Sequence, residues 1–269
     1  MPITTLSGIA AIILYLFATG LHANMIKQAG TARTRAGFPT LLVGGLGAAA
    51  QFVQAWFLMV KVDGYHFGVI EVSVLISAAL ATIALITNAR RPLGDLILGV
   101  LPITALITLV SLIFQSQYPP QQMSGDVFFH ILVSVLAYSF AALAALQSAF
   151  LAFQNYQLRN HHPTAVIRRF PPLQDMEKLL FELLWLTQIL LTVGIIAGFA
   201  FAQSWTEQGL IHKMFFSILA WLVFAVLLWG RHQLGWRGNT AIRGTLTGFV
   251  CLLLGFYGSK AVIEFILGG

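Results

Sequence analysis

Residues 127–154 read VFFHILVSVLAYSFAALAALQSAFLAFQ, a stretch with no Lys, Arg, Asp or Glu. A bilayer core about 30 Å thick takes roughly 20 apolar residues of helix, so this run is long enough to cross it. His130, Ser134 and Tyr138 interrupt it at four-residue steps, which puts all three on one face of a helix. The rest of the chain has the same character. It is 58% hydrophobic and 9% charged, with a mean hydropathy of +0.84. Soluble domains carry about 25% charged residues, and so few charges cannot build a water-facing surface. The chain reads as an integral membrane protein whose first partner is the lipid bilayer.

Working outward, eight runs are long and apolar enough to span: 3–25, 38–60, 67–88, 95–115, 127–154, 179–203, 214–230 and 244–266. The expected fold is therefore all-α, a polytopic helix bundle forming a single transmembrane domain over residues 1–269. Twelve of the 15 Lys and Arg fall on one side: Lys27, Arg33, Arg35, Arg90, Arg91, Arg159, Arg168, Arg169, Lys178, Arg231, Arg237 and Arg243. Lys61, Lys213 and Lys260 make up the remainder. Positive residues stay inside, so both termini are expected on the outer, periplasmic side of a bacterial inner membrane. The first 27 residues lack a basic n-region and read as a retained span, not a cleaved signal.

Several classes are disfavoured. No basic helix face or aromatic platform suits nucleic acid, and no GxSxG, HExxH, Walker loop or GxGxxG appears. An enzyme is not expected. The lone Cys251 allows no internal disulfide and sits in an apolar run, where it reads as a small packer. Trp56 and Trp205 fall at the outer interface and Trp229 and Trp236 at the inner one, as aromatic belts do. Gly44, Gly45 and Gly47 suit close helix packing. Pro171 and Pro172, followed by Asp175 and Glu177, suit the first turn of an amphipathic lead-in to the sixth span.

Polar residues inside a bilayer are costly and mark sites. Of seven histidines, His66, His130 and His212 belong to the outer side, while His161, His162 and His232 belong to the inner side, with His22 near it. Groups on opposite leaflets cannot share one ligand. Each outer histidine has two readings, a half-wet ring bonded to a neighbour or an iron ligand, since haem iron takes one or two imidazoles. Ser134 and Tyr138, on the same face as His130, add donors beside it and strengthen the second reading there. Glu71, one turn into the third span, reads as a shallow carboxylate that reaches water, with a proton or ion site as the alternative.

Three stretches carry a resemblance. HILVSVLAYSFAALAALQSAFLAFQNYQLR begins at His130, FPPLQDMEKLLF contains Pro171, Pro172, Leu173 and Glu177, and the segment from His212 to Lys260 holds the Gly-Trp-Arg-Gly turn at 235–238. Together they resemble the cytochrome c assembly family, the CcsA and HemX-like membrane proteins that handle haem, and within it the short inner-membrane branch called YpjD. The match is good over about the last 145 residues and topological over the first 120. The resemblance implies that His130 is a periplasmic haem ligand, followed on its helix by the family's Ser and Tyr. It also exposes departures. Where exporting members carry a tryptophan-rich segment, SWTEQGLIHKMFFSILAW keeps only Lys213 and Trp221 in register. Of the four usual haem histidines only His130 stands in place; the others fall at Trp229 or Gly230, near Tyr257, and at Gln51 or Gln54.

The expectation is a haem-interacting, cytochrome c assembly-type inner-membrane protein with an outer-leaflet pocket around His130. His212 is a second candidate ligand to the iron, Lys213 is suited to a propionate, and Trp221, Phe128 and Phe129 are candidate walls. The alternative keeps the fold without haem, as a scaffold or accessory subunit bound to a membrane protein partner such as a transporter or assembly complex. A carrier using Glu71 is disfavoured, because no broken-helix pair or inverted repeat is evident.

Overall fold

The computed structural model describes residues 2–29, 35–90, 95–114, 125–159, 171–201 and 208–258, with backbone alone at 29, 95, 126, 201 and 208–212. Among them lie eight helices long and apolar enough to cross a membrane. These are α1 (Ile3–Ala29), α2 (Phe38–Met59), α3 (Val69–Arg90), α4 (Asp95–Ile113), α5 (Gly125–Arg159), α6 (Leu173–Phe201), α7 (Gln208–Gln233) and α8 (Asn239–Leu253). The last continues into a π-helical turn, Leu254–Gly258. His161, His162, Trp205 and the end of the last expected span lie outside the described residues.

The helices pack as two groups of four. In the first, α1 lies against α2 and α4, and α3 against α2 and α4; in the second, α5 packs most extensively on α6, α6 on α7 and α7 on α8. α3 and α5 join the groups. α3 suits that central place because Ser77, Ala78, Ala79, Ala81 and Ala84 are small and buried, which lets neighbours approach from several sides. A buried polar junction ties the first group. Gln51 accepts from Tyr15 Oη at 2.7 Å and donates to Ser77 Oγ at 2.7 Å and Thr108 Oγ1 at 2.9 Å. The amide oxygen and both N–H groups of the amide nitrogen are thereby used, as low-dielectric surroundings require.

Three details differ from the sequence expectation. Between α2 and α3 the chain forms a hairpin, Val60–Lys61 paired antiparallel with Gly64–Tyr65. Val62 and Asp63 form its two-residue turn, and Gly64, the first residue after it, has φ of +137°, which favours glycine. α6 is one helix from Leu173, with the prolines immediately before it rather than in its first turn. The Pro172 carbonyl accepts from the amides of Asp175 and Met176. Trp236 is not a free belt residue, because its ring packs flat against Gly230, where a Cβ would lie 2.3 Å from it. The lead-in to α6 meets the turn before α8 at this end. Glu177 Oε1 accepts from the Gly238 amide at 2.8 Å, and Arg231 donates to the Trp236 carbonyl while lying 4.7 Å over the Phe181 ring. The Gly-Trp-Arg-Gly turn needs its glycines, since Gly235 and Gly238 have φ of +66° and +55°. Lys27, Arg90, Arg159, Lys178, Arg231 and Arg243 share this basic end, opposite the hairpin.

Candidate functional site

At the hairpin end, a cavity of about 430 Å³ lies among α3, α5, α6, α7 and the π-helical turn. That falls within the range of about 300–1,000 Å³ common for small-molecule sites. α5 supplies His130, Ser134 and Tyr138, so the four-residue spacing does turn all three to one wall. Leu191, Ile195 and Phe199 of α6 and Met214 and Ile218 of α7 make the walls largely apolar. Phe67, just ahead of α3, and Phe256 of the π turn contribute aromatic surface, while Lys213 and Ser217 add polar groups from α7.

His130 stands in the second turn of α5, half-buried. Its ring lies beside the backbone of Gly194 on α6. Nδ1 is buried and makes no hydrogen bond. A buried imidazole nitrogen without a partner carries a desolvation cost, which a ligand coordinating or bonding the ring would offset. This orphaned nitrogen in a largely apolar cavity that Lys213 also lines fits a flat amphiphilic group such as haem. The residues present therefore suit the group that the resemblance implies.

Other sequence-derived assignments land differently. Tyr138 lines the cavity with its ring, but its hydroxyl donates to the Leu252 carbonyl at 2.9 Å, not to His130. Leu252 lies in the last turn of α8, just before the π turn, so Tyr138 anchors the element that supplies Gly255 and Phe256 to the lining. Trp221 is not a wall. Its indole Nε1 donates to Thr192 Oγ1 at 2.8 Å, which holds the ring toward α6 one turn deeper than Ser217. Phe128 and Phe129 are exposed on the outer surface of α5, because residues one and two before His130 point to other faces of the helix. Phe67, Phe199 and Phe256 take the place expected of them. His212 belongs to the backbone of α7 next to Lys213, but its side chain lies outside the described residues.

His66 sits on the hairpin with Nε2 3.1 Å from Asp63 Oδ1, a bond that holds the Asp63 carboxyl below its usual range. Glu71 corrects the shallow reading. It is 3% exposed, buried in the first turn of α3, where the helix dipole favours a carboxylate. Gln51 and Gln54 stand on α2, outside the cavity lining, and serve the polar junction of the first helix group. Tyr257 bonds Ser73 through its hydroxyl at 3.0 Å, tying the π turn to α3.

Gly194 and Gly198, which line the cavity from α6, were not singled out as site residues from sequence. Their signal was available as GIIAG, a GxxxG pattern in an apolar run. The π-helical turn has no comparable sequence mark, although such turns recur at functional sites.

Comparison with known proteins bears on this arrangement. Residues 41–267 match the family described as Cytochrome C assembly protein, so the match also takes in α2 to α4, beyond the C-terminal part in which the motifs lie. The inner membrane protein YpjD of Escherichia coli strain K12 is 31% identical over 206 residues, covering 76% of this chain and 78% of the relative. An uncharacterized 28.8 kDa protein in the nifR3-like 5' region of Azospirillum brasilense is 28% identical over 242 residues, 85% of each chain. The cytochrome c biogenesis protein CcsA of Prochlorococcus marinus is 23% identical over 164 residues, 53% of each. No solved structure matches the chain.

Proposed function

The chain belongs to the cytochrome c assembly protein family, and from that premise we propose that it is a non-enzymatic, haem-interacting protein of the bacterial inner membrane, with both termini on the periplasmic side. Family membership supports a haem-related assembly role, and the Escherichia coli relative, an inner membrane protein, supports the location. The site is the cavity around His130, which in this orientation lies in the outer leaflet. The observation that carries the reading is the partnerless, buried Nδ1 of His130 on the wall of a largely apolar cavity. His130 would hold the iron through its imidazole. Lys213 would pair with the carboxylates of such a group, His212 is the candidate for a second imidazole, and Ser134 lies one turn deeper than His130 on the same wall.

Bound haem would supply an iron centre whose ligation and redox state suit delivery to cytochrome assembly. The chain's own residues hold and shield it. Phe67, Phe199 and Phe256 line the cavity and would exclude water from a bound group, and the α6 glycines leave space beside the imidazole. Purified protein should show a Soret band, or gain one on addition of haem, and His130→Ala should abolish it. A colourless preparation that takes up no added haem would refute the proposal.

A second reading has an observation in its favour. The hydroxyl of Tyr138 and the indole of Trp221 are both engaged in helix-to-helix bonds, as a scaffold without haem would also have them. In that case a membrane protein partner co-purifies after crosslinking in native membranes, and its binding tolerates His130→Ala.

A further inference from the structure

We propose that Gly198 is the positioning residue for His130, and that its missing side chain determines where the imidazole sits. The inference rests on the haem reading for its consequence, though not for its geometry. α6 presents Gly194 and Gly198, one turn apart, to α5. A Cβ built on Gly198 would lie 3.1 Å from His130 Cε1, 3.6 Å from Nδ1 and 4.0 Å from Nε2. Carbon atoms in contact settle at about 3.5–4.0 Å, so the ring edge occupies space that any other residue would need. One of the two must give. The backbone of α6 is held by its extensive packing on α5, whereas the imidazole turns about two side-chain torsions. A methyl group at 198 therefore moves the ring away from α6 and covers the edge that carries Nδ1.

Gly194 provides the internal contrast. A Cβ there would meet Ser134 Oγ at 3.6 Å and Val133 Cγ1 at 3.8 Å, ordinary contacts that need no movement. If the two glycines served helix packing alone, the tighter one would lower stability without touching the ligand. Their different distances assign the special role to Gly198. A metal ligand must be held within about 0.5 Å of its productive position, and loss of a group that orients one costs about 10–100-fold in affinity.

The test uses the full chain in detergent, with histidine carrying ¹³C at Cε1, and titration with haem. His130→Ala identifies the His130 resonance. Gly198→Ala should shift that resonance in the haem-free protein and weaken haem binding about tenfold or more, while Gly194→Ala should do neither. A third background separates positioning from packing. In His130→Gly protein supplied with free imidazole, the ring is untethered, so adding Gly198→Ala should leave haem uptake nearly unchanged.

An unmoved resonance, or unweakened haem binding by Gly198→Ala, overturns the inference while leaving the haem site intact. So does Gly198→Ala protein that misfolds even in the His130→Gly background, since that marks a packing role. Wild-type protein that takes up no haem overturns the functional reading alone, and the resonance shift still decides the role of Gly198.

Discussion

His130 and Tyr138 stand two turns apart on one face of α5, yet they serve the cavity differently. The imidazole leaves Nδ1 without a partner, whereas the Tyr138 hydroxyl bonds the Leu252 carbonyl 114 residues away. Tyr138→Phe keeps the ring that lines the cavity and removes only that bond. It should cost about 1 kcal/mol of stability, read from thermal unfolding in detergent, and leave any haem spectrum in place. A loss of the spectrum with unchanged stability would instead give the hydroxyl a direct role at the ligand. The spacing of the face was legible from sequence, because helical periodicity is local. The partner of the hydroxyl was not, because it depends on α8 returning beside α5. Trp221 illustrates the same limit. Its register suggested a wall, but the bond to Thr192 turns the indole toward α6.

At the scale of elements, two separate motifs prove to be halves of one contact. The acid after the Pro-Pro-Leu start of α6 reaches the turn before α8, where Glu177 accepts from the Gly238 amide and Arg231 lies 4.0 Å from its other oxygen. The amide at a helix start has no partner within its own helix, so the carboxylate acts as a cap supplied from another helix. Glu177→Ala should cost about 1–3 kcal/mol, and Glu177→Gln, which keeps an acceptor, clearly less. Equal losses in a denaturant titration would rule out the capping bond and leave bulk or charge as the cause. The hairpin at the other end turns at Val62-Asp63 with Gly64 directly after, yet apolar span lengths ran through its first residue and hid it. The π-helical turn is positioned from two sides, by Tyr138 of α5 and by Ser73 of α3 through Tyr257. A turn whose wall position depends on such distant anchors leaves no pattern in its own five residues.

For the whole molecule, the 12-to-3 division of Lys and Arg predicts that the hairpin faces outward. Val62 is fully exposed at the hairpin tip, Leu234 is exposed at the basic end, and native Cys251 is buried. A membrane-impermeant maleimide added to intact spheroplasts should therefore label Val62→Cys and spare Leu234→Cys until the membrane is opened. The reverse pattern would invert the topology and move the His130 cavity to the cytoplasmic leaflet. The sequence alone determined the membrane class, the eight spans and the helix face bearing His130, Ser134 and Tyr138, because hydrophobic length and helical period are properties of short segments. Only the tertiary structure decided that this face meets the α6 glycines, Lys213 and the π turn around a cavity. It also decided that Gln51 serves a packed junction and that Trp221, Phe128 and Phe129 turn elsewhere. Those outcomes depend on which helices become neighbours and how closely small residues let them approach, and such long-range pairings are not written in any single segment.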